Sequence, residues 1–351
     1  MEKKILLINQ RMSIIDALKR MDEVGQKLLI VIDDNGLFVG LISIGDIQRA
    51  IIANRDLSIE LSNILRKDIL TARKGDDIDT IKAIMLKHRL VYMPVLSDLN
   101  EITDVIFWED IVKEDVSSFS CGQLDLPVVI MAGGFGTRLK PLTNILPKPL
   151  LPYGEKTILE TIIARFQQYG CNTFHLSVNY KAELIQYYFD SLNNKTYDVS
   201  LFSEDKPLGT AGSLGLLRDR IKSPFFVSNC DILVDQDYAA VYDYHKEQQN
   251  ELTMVASLKH YSIPYGTLET GENGELLSLQ EKPTLTFMIN CGFYILEPHL
   301  LAEIPEGTFF HITDLIEAIK ARKGKVGVFP ISEKSWIDIG EWSLYSKILM
   351  K

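Results

Sequence analysis

A glycine-rich segment with two basic residues is the strongest chemical signal in this 351-residue chain. The segment reads Ala132-Gly133-Gly134-Phe135-Gly136-Thr137-Arg138-Leu139, and the string Pro147-Lys148-Pro149 follows it. Glycines let backbone N–H groups approach phosphate oxygens closely, and Arg138 and Lys148 add fixed positive charge. The apolar run before the segment predicts a strand. We therefore expect a phosphate-binding loop at the end of a strand.

Two better-known phosphate-binding loops fail on spacing. A Rossmann dinucleotide loop needs a glycine three residues after Gly136, where Leu139 stands, and a Walker loop needs a Gly-Lys-Ser/Thr ending that is absent here. The strings G-G-x-G-T-R-L-x-P-L-T and P-K-P closely resemble the sugar-nucleotide pyrophosphorylases, a family of sugar-phosphate nucleotidyltransferases. The resemblance implies that the nucleotide is bound by Ala132, Gly133, Gly134, Gly136 and Thr137.

The resemblance runs along the rest of the chain and implies further site residues. The string Pro207-Leu208-Gly209-Thr210-Ala211-Gly212 matches the family's nucleoside-binding loop, in which glycines allow the base and ribose to lie against backbone. By this match Pro207, Gly209, Thr210 and Gly212 are nucleotide-binding residues. Three more matches imply a sugar-phosphate pocket that contains Tyr265, Gly266, Glu281, Lys282 and Asn290.

Two aspartates are expected to bind a metal ion. Asp231 follows an apolar strand in Ser228-Asn229-Cys230-Asp231, and Asp338 lies in Trp336-Ile337-Asp338-Ile339-Gly340; both strings match the family's metal motifs. The two residues are far apart in the chain, so only folding can bring them together. Carboxylate oxygens suit Mg²⁺, which keeps its other positions for phosphate oxygens and water.

These residues together imply an in-line nucleotidyl transfer. An oxygen of a sugar 1-phosphate would attack the α-phosphorus of a nucleoside triphosphate, and pyrophosphate would leave on the opposite side. The resemblance gives catalytic roles to Arg138, which would neutralise the pyrophosphate, to Lys148, which would polarise the triphosphate, and to Lys282, which would orient the sugar phosphate.

One acidic residue bears on the choice of base. Glu204 precedes the Pro207 loop, near the position where pyrimidine-selective relatives often carry glutamine. Guanine presents adjacent N1–H and N2–H donors that suit a carboxylate, whereas uracil and thymine present acceptor, donor, acceptor, which an amide matches. Glu204 therefore favours GTP; a solvent-facing Glu204 is the alternative.

Alternating strands and helices surround these motifs. The pattern predicts strands at 128–131, 174–178 and 225–229 and helices at 158–169 and 182–192, with a Thr157/Glu160 capping box. This is the α/β signature, and we expect a Rossmann-like, mostly parallel sheet. The resemblance implies a GT-A-like nucleotidyltransferase domain over residues 127–351.

An internal repeat precedes this domain. A helix, two strands joined by a turn and a second helix occupy residues 14–47, and the same order recurs over residues 78–111. The repeat resembles a tandem pair of cystathionine-β-synthase (CBS) domains, an α+β module, which we place at residues 1–118 with a linker at 119–126.

The first copy carries the CBS family's ribose-binding pattern G-x-x-[ST]-x-x-[DN] at Gly40 to Asp46. The resemblance implies that Ser43 and Asp46 contact an adenosine nucleotide. In the second copy Asp104 replaces the glycine, Phe107 replaces the hydroxyl residue, and only Asp110 remains. At most one good nucleotide site is therefore expected. The alternative is a structural module used for dimerisation, and in either case we expect a homo-oligomer through the CBS modules.

Composition excludes several other classes of protein. A net charge of −10, with no Lys/Arg-rich run, argues against binding to nucleic acid. The sequence contains no apolar run of bilayer length and no signal-peptide core, so we expect a cytoplasmic protein without membrane contact.

The sequence thus favours an enzyme that joins GTP to a hexose or aminohexose 1-phosphate. The plan resembles bacterial guanylyltransferases that supply GDP-sugars for surface glycans or nonulosonic acids, with glucosamine 1-phosphate or mannose 1-phosphate as substrate. A transferase that uses UTP or dTTP is one alternative. A second alternative is a non-catalytic, nucleotide-sensing scaffold of the same fold. Such a scaffold would not need the charged site residues, yet this sequence retains all of them.

Overall fold

The computed structural model describes residues 6–66, 69–78, 80–81, 84–85, 92–107, 123–192, 195–204, 206–342 and 345–346. The chain divides into two compact units, residues 1–119 and 120–351. The division falls at the start of the predicted linker, of which residues 119–122 lie outside the described residues. Each unit is built around its own sheets.

The N-terminal unit contains six short strands and two α-helices within the described residues. The strands are β1 (Leu7–Asn9), β2 (Leu28–Ile32), β3 (Phe38–Ser43), β4 (Ala72–Arg73), β5 (Tyr92–Leu96) and β6 (Ile102–Phe107). The helices are α1 (Ile14–Val24) and α2 (Ile44–Ile52). Ser13 caps α1 through a hydrogen bond from the Asp16 N–H, and Gly25 ends it in a left-handed conformation.

The strand register shows the internal repeat directly. β1, β2 and β3 form one three-stranded sheet, and β4, β5 and β6 form another with the same parallel and antiparallel pairings. Ser43 pairs with Leu28 in the first sheet, and Phe107 pairs with Tyr92 at the same place in the second. The register thus supports the alignment of Phe107 with Ser43. Most of the predicted helix 78–88 and Asp110 lie outside the described residues.

The C-terminal unit holds the remaining strands. They are β7 (Val128–Met131), β8 (Pro152–Tyr153), β9 (Lys156–Thr157), β10 (Thr173–Val178), β11 (Asp198–Ser203), β12 (Phe225–Asn229), β13 (Ile232–Val234), β14 (Leu252–Ser262), β15 (Thr267–Thr270), β16 (Leu276–Gln280), β17 (Thr284–Leu296), β18 (Val326–Ser332) and β19 (Trp336–Asp338). Its α-helices are α3 (Ile158–Gln167), α4 (Ala182–Ser191), α5 (Gly209–Gly212), α6 (Tyr238–Glu247) and α7 (Ile312–Ala321).

A seven-stranded, mostly parallel sheet organises this unit, in the order β11-β10-β7-β12-β17-β14-β18. Only β17 runs antiparallel to its neighbours. Successive residues of a strand face opposite sides, and accordingly Val128 and Ile130 join one buried apolar cluster while Val129 joins another. The first cluster includes residues of α3, α4 and α6, and the second includes residues of α5 and α7. The predicted α/β class is confirmed, with helices on both faces of the sheet.

No helix among the described residues combines the length and the apolar character needed to cross a bilayer.

The predicted capping box at the start of α3 is present and can be tested. The Thr157 hydroxyl accepts from the Glu160 N–H at 3.1 Å, and the Glu160 carboxylate accepts from the Thr157 N–H at 2.9 Å. Thr157→Ala should lower the free energy of unfolding by about 1 kcal/mol, because it removes one of the two cap bonds. Chemical denaturation measures this loss. Thr157→Ser keeps the hydroxyl and should stay close to wild type; equal losses in both variants would contradict the capping role.

Candidate active site

The site lies where four neighbouring parallel strands end. In spatial order β11, β10, β7 and β12 lead into Glu204, Asn179, Ala132 and the Cys230-Asp231 pair. Ligands of open α/β sheets bind at the carboxyl ends of such strands. Three strand spacings, roughly 14 Å, separate the Glu204 end from the Asp231 end. The arrangement is therefore elongated, with the glycine-rich loop between its two ends.

A cavity of about 400 Å³ follows this edge of the sheet. Its walls include most of the residues predicted to bind the nucleotide. The lining residues are Met131, Gly133, Gly134, Phe135, Gly136, Thr137, Arg138, Lys148, Ser177, Asn179, Glu204, Pro207, Gly209, Thr210, Asn229, Cys230, Asp231, Phe309 and Gly340. Ala132 is buried directly below this wall, at the end of β7.

Local contacts fix the shape of the glycine-rich loop. Gly136 has a φ of 61°, and a Cβ there would lie 2.7 Å from Thr143 Cγ2. The Thr143 hydroxyl donates to the Gly136 carbonyl at 2.9 Å, and Lys181 Nζ donates to the carbonyls of Asn144 and Ile145. Gly136 is thus needed for the fold of the loop itself.

The two preceding glycines differ from Gly136 and from each other. A Cβ on Gly133 would lie 3.3 Å from Asn179 Cβ, so Gly133 allows β7 and β10 to end close together. A Cβ on Gly134 would meet nothing within 4 Å, and Gly134 lines the cavity. Gly134 therefore gives a ligand direct access to backbone, as phosphate binding requires.

Charged groups collect at the Asp231 end. Lys148 is buried and donates to the Asp231 carboxylate, and Arg138 Nη2 lies 3.8 Å from the same carboxylate oxygen. A lysine buried this deeply needs an anionic partner. Arg138 is more exposed and faces the cavity. Two positive groups are thus positioned at the place where phosphates are expected.

Folding brings the two predicted metal ligands together. β13 pairs with β19 so that Ile232 lies opposite Asp338, and the Ile339 N–H donates to the Asp231 carbonyl at 2.7 Å. Gly340 leaves a small cradle beside them. A Cβ on Gly340 would lie 2.7 Å from Asp231 Oδ2, 2.8 Å from Asp338 Oδ1 and 2.8 Å from Lys148 Nζ. The Asp231 and Asp338 carboxylates thus come together beside Gly340, and hard oxygen donors of this kind suit a divalent cation such as Mg²⁺.

The structure gives Glu204 two local partners. Ser177 Oγ donates to Glu204 Oε1 at 3.1 Å, and the Leu208 N–H donates to Oε2 at 2.7 Å. Glu204 is half-buried and lines the cavity, and its role in choosing the base stays a prediction. A carboxylate has about four lone-pair sites, which leaves acceptor capacity on both oxygens for a ligand.

The glycines of the Pro207 loop allow it to pack closely against the backbone of residues 308–310, a contact that the sequence does not reveal. The N–H groups of Ala211 and Gly212 donate to the Phe310 carbonyl at 3.0 and 2.9 Å, and the Phe310 N–H donates to the Leu208 carbonyl at 2.8 Å. A Cβ on Gly209 would lie 2.7 Å from the Phe310 oxygen, and one on Gly212 would lie 2.8 Å from the Thr308 oxygen. Gly209 also lines the cavity, whereas Gly212 is buried and is not part of the lining.

The predicted sugar-phosphate residues lie outside the lining of this cavity. Tyr265 is exposed, and a Cβ on Gly266 would lie 3.0 Å from the Glu281 carboxylate. Lys282 is exposed in the turn between β16 and β17, with a φ of 46°. Asn290 donates to the Tyr294 hydroxyl at 2.8 Å and accepts from the Gly292 N–H. Their role in sugar binding stays a prediction.

In the N-terminal unit, Ser43 and Asp46 meet but are already engaged. They form the capping box of α2, and Asp46 also accepts from Arg49 and Arg66. Burial raises the pKa of the Asp46 carboxyl, but hydrogen bonds from Arg66 and Ser43 outweigh it and hold the pKa below its usual value. A cavity of about 630 Å³ is lined by Asp46, Arg49 and Arg66, but Ser43 is not part of its lining. Ribose binding by this pair stays a prediction and would require the arginines to share their carboxylate.

Motif matching missed several residues of the site. Ser177, Asn179 and Phe309 belong to no matched string, yet all three line the cavity. Ser177 and Asn179 could have been found from the rule that parallel strands present their carboxyl ends at one edge, since both lie at the end of β10. Nothing in the sequence around Phe309 indicates its place.

Comparison with known families gives two matches along the chain. The nucleotidyl transferase family model matches residues 127–351, and the CBS domain model matches residues 1–53. The curated relatives include the mannose-1-phosphate guanylyltransferase catalytic subunit beta of Dictyostelium discoideum, 34% identical over 223 residues, which are 62% of this chain and 61% of the relative. The mannose-1-phosphate guanyltransferase of Schizosaccharomyces pombe is 34% identical over 227 residues, which again are 62% of this chain and 61% of the relative. The chain spans 61% of the length of both.

Solved structures agree with the C-terminal match. The crystal structure of HddC from Yersinia pseudotuberculosis has a TM-score of 0.51 and 28% identity, and the match covers 64% of this chain and 98% of HddC. A second HddC structure, complexed with GMP-PN, has a TM-score of 0.50 and 27% identity, with the same two shares.

Alanine substitutions at Gly134 and Gly136 test whether the first glycine gives a ligand access to backbone and the second is needed for folding of the loop. Gly134→Ala should fold normally but raise the KM for a nucleoside triphosphate about ten-fold or more, because the methyl group occupies the open approach to backbone. Gly136→Ala should instead lower the melting temperature, because it forces a positive φ and a clash with Thr143. Thermal unfolding and steady-state kinetics on both variants test the distinction. A Gly134→Ala variant with an unchanged KM would contradict phosphate approach at this glycine.

Proposed function

Because this chain belongs to the nucleotidyl transferase family, we propose that it transfers a nucleotidyl group from a nucleoside triphosphate to a sugar 1-phosphate and releases pyrophosphate. The observation that carries the proposal is the meeting of Asp231, Asp338, Lys148 and Arg138 at one end of the cavity. The glycine-rich loop lies beside this group, as an enzyme acting on phosphates requires.

The proposed reaction uses charge and position and needs no covalent nucleophile. The backbone at Gly134 would bind phosphate oxygens, and Lys148 and Arg138 would stabilise the negative charge that develops on the triphosphate. An oxygen of the sugar phosphate attacks the α-phosphorus, the bond to the pyrophosphate oxygen breaks, and pyrophosphate leaves with the electron pair. Lys282 would meet the incoming sugar phosphate from outside the cavity.

Nucleotidyl transferases of this family generally use a divalent metal ion. We assign Asp231 and Asp338 as the residues that would hold it, and Mg²⁺ as the ion, because both donors are carboxylate oxygens. When bound, such an ion supplies positive charge that offsets the charge of the phosphates. Lys148 donates a hydrogen bond to the same Asp231 carboxylate, so the lysine and the proposed ion would both use this carboxylate.

We propose GTP as the nucleotide. Glu204 lies at the end of the cavity opposite Asp231, which is where the base of a nucleotide would lie if its phosphates met the metal ligands. Its oxygens can accept from the two adjacent donors of guanine. The matched relatives are named as guanylyltransferases, and the HddC complex contains GMP-PN. UTP and dTTP remain the alternatives.

The sugar is proposed only as a hexose or aminohexose 1-phosphate. Mannose 1-phosphate is in the names of the relatives, and glucosamine 1-phosphate is the competing substrate from the sequence. The contacts of the predicted pocket residues, from Tyr265 to Asn290, do not distinguish a sugar that carries an amine from one that carries a hydroxyl at the same carbon. We expect the product to supply the synthesis of surface glycans or nonulosonic acids.

The N-terminal CBS domain leads to three further proposals. We propose that residues 69–107 belong to a second CBS copy, that an adenosine nucleotide binds beside Asp46, and that the CBS modules form a homo-oligomer.

We also propose a cytoplasmic location. Within the described residues Cys171, Cys230 and Cys291 are free and buried, and burial raises the pKa of Cys171 to about 11 and those of the other two to about 12. Such reduced thiols suit a reducing compartment.

Removal of one proposed metal ligand tests the reaction class. Asp231→Asn should lower kcat/KM at least about 100-fold in a pyrophosphate-release assay, because an amide is a weaker ligand for the proposed metal ion and leaves the buried Lys148 without its anionic partner. Arg138→Ala should also lose most of the turnover. The matched control is Asp235→Asn, which makes the same chemical change in an exposed residue paired with Arg165 and should keep most of the activity. Wild-type rates in Asp231→Asn and Arg138→Ala would overturn the assignment.

A substrate panel tests the base and the sugar together. Wild-type protein should prefer GTP over UTP, dTTP and CTP, with mannose 1-phosphate and glucosamine 1-phosphate compared in parallel. Glu204→Gln should lower kcat/KM for GTP about ten-fold or more, because an amide accepts through one oxygen only. Ser177→Ala serves as the control, since it removes a partner of Glu204 and keeps the carboxylate. A wild-type preference for UTP or dTTP would reject the choice of guanine.

A further inference from the structure

An exposed phenylalanine stands at one end of the cavity. Phe309 lines the cavity together with Pro207, Gly209 and Thr210, and 58% of its surface is exposed. An aromatic side chain of this size contributes most when it is covered, because it can bury 150–250 Å² of surface. An exposed aromatic ring in a cavity wall is therefore available to a ligand that enters the cavity.

The backbone around Phe309 is held firmly against the Pro207 loop. Phe310, the next residue, makes three backbone hydrogen bonds to Leu208, Ala211 and Gly212. The Ile312 N–H donates to the Thr210 hydroxyl at 3.0 Å. The His311 ring packs against the Phe309 ring at 4.7 Å between centroids and 81° between planes. The exposed ring thus belongs to an anchored segment.

Its position along the cavity indicates which part of a nucleotide it meets. The Pro207 loop continues from β11 and Glu204, so Phe309 lies at the end of the cavity away from Asp231. Phe135, another aromatic residue in the lining, belongs to the glycine-rich loop and packs on Tyr180 with 5.4 Å between centroids. Phe309 therefore lies at the end of the cavity proposed for the base, whereas Phe135 is part of the proposed phosphate-binding loop.

We infer that Phe309 is the stacking platform for the nucleotide base. This inference rests on the proposed function and adds a binding residue to it. The face of the base would lie on Phe309 while its hydrogen-bonding edge meets Glu204. Stacking contributes affinity for any base because each has a π-face, whereas the edge contact selects among bases.

Kinetics of substituted proteins test the stacking role. Phe309→Ala should raise the KM for the preferred nucleoside triphosphate about ten-fold, which lies toward the lower end of the range for loss of one base–aromatic stack. The kcat and the KM for sugar phosphate should change less than two-fold or so, since the base takes no part in bond making. Phe309→Leu keeps an apolar side chain without a π-face and should resemble Phe309→Ala. Phe309→Tyr should resemble wild type.

A matched control excludes a general effect of losing an exposed aromatic. Tyr187 on α4 is 75% exposed and is absent from the cavity lining. Tyr187→Ala should leave the KM for the nucleotide unchanged. A Phe309→Ala variant with wild-type KM, or a Phe309→Leu variant that matches wild type, would overturn the inference.

A binding measurement keeps this inference separate from the proposed reaction. Phe309→Trp places a fluorophore at the stacking position, and titration with GDP should quench its emission beyond the change seen in wild type. This readout needs no turnover. Quenching without turnover of any sugar phosphate would reject the proposed reaction and leave the stacking contact standing. Turnover by the wild type, with neither quenching in Phe309→Trp nor a change of KM in Phe309→Ala, would reject the stacking contact alone.

Discussion

The parallel pairing of β11, β10, β7 and β12 is the constraint on which the rest of the catalytic unit depends. Strands that run in one direction end at one edge, so four loops that are distant in sequence leave the sheet side by side. Each loop contributes one element of the site: Glu204, Asn179, the glycine-rich turn and Asp231. A reversal of any one of these strands would move its residue to the far edge of the sheet.

Charge balance is the second physical requirement of this edge. Lys148 is buried, and a buried ammonium is costly unless an anion accompanies it. The Asp231 carboxylate supplies that anion, and Gly340, which has no side chain, lets it lie close to the Asp338 carboxylate. The same carboxylate therefore neutralises a fixed cation and is placed to attract a mobile one. A divalent ion bound there would add the positive charge that phosphates entering the cavity require.

Much of this organisation could be predicted from the sequence, because the signals were local or were carried by matched strings. The capping box at Thr157, the strand at 225–229 and the alignment of Phe107 with Ser43 depend on short patterns, and the structure contains all three. Contacts between distant segments could not be predicted in this way. The glycines of the Pro207 loop were expected to face a nucleoside, but Gly212 instead admits the backbone of the 308–310 segment. Asp46 was expected to be available to a ribose, but Arg66, twenty positions away, already holds it.

The end of the cavity proposed to recognise the base lies far from the end proposed to carry out the phosphate chemistry. The residue that would recognise the base, Glu204, follows β11, whereas Asp231, which would hold the metal ion, follows β12, about three strand spacings away. Asp338 joins Asp231 from β19, which belongs to the separate β13-β19 sheet. Energetic coupling between substitutions usually requires direct contact or shared partners. A lineage could therefore exchange one nucleotide for another by altering the β11 end alone, with the phosphate chemistry unchanged. With the proposed roles, the length of this sheet edge would allow the choice of base and the catalytic power to change independently in evolution.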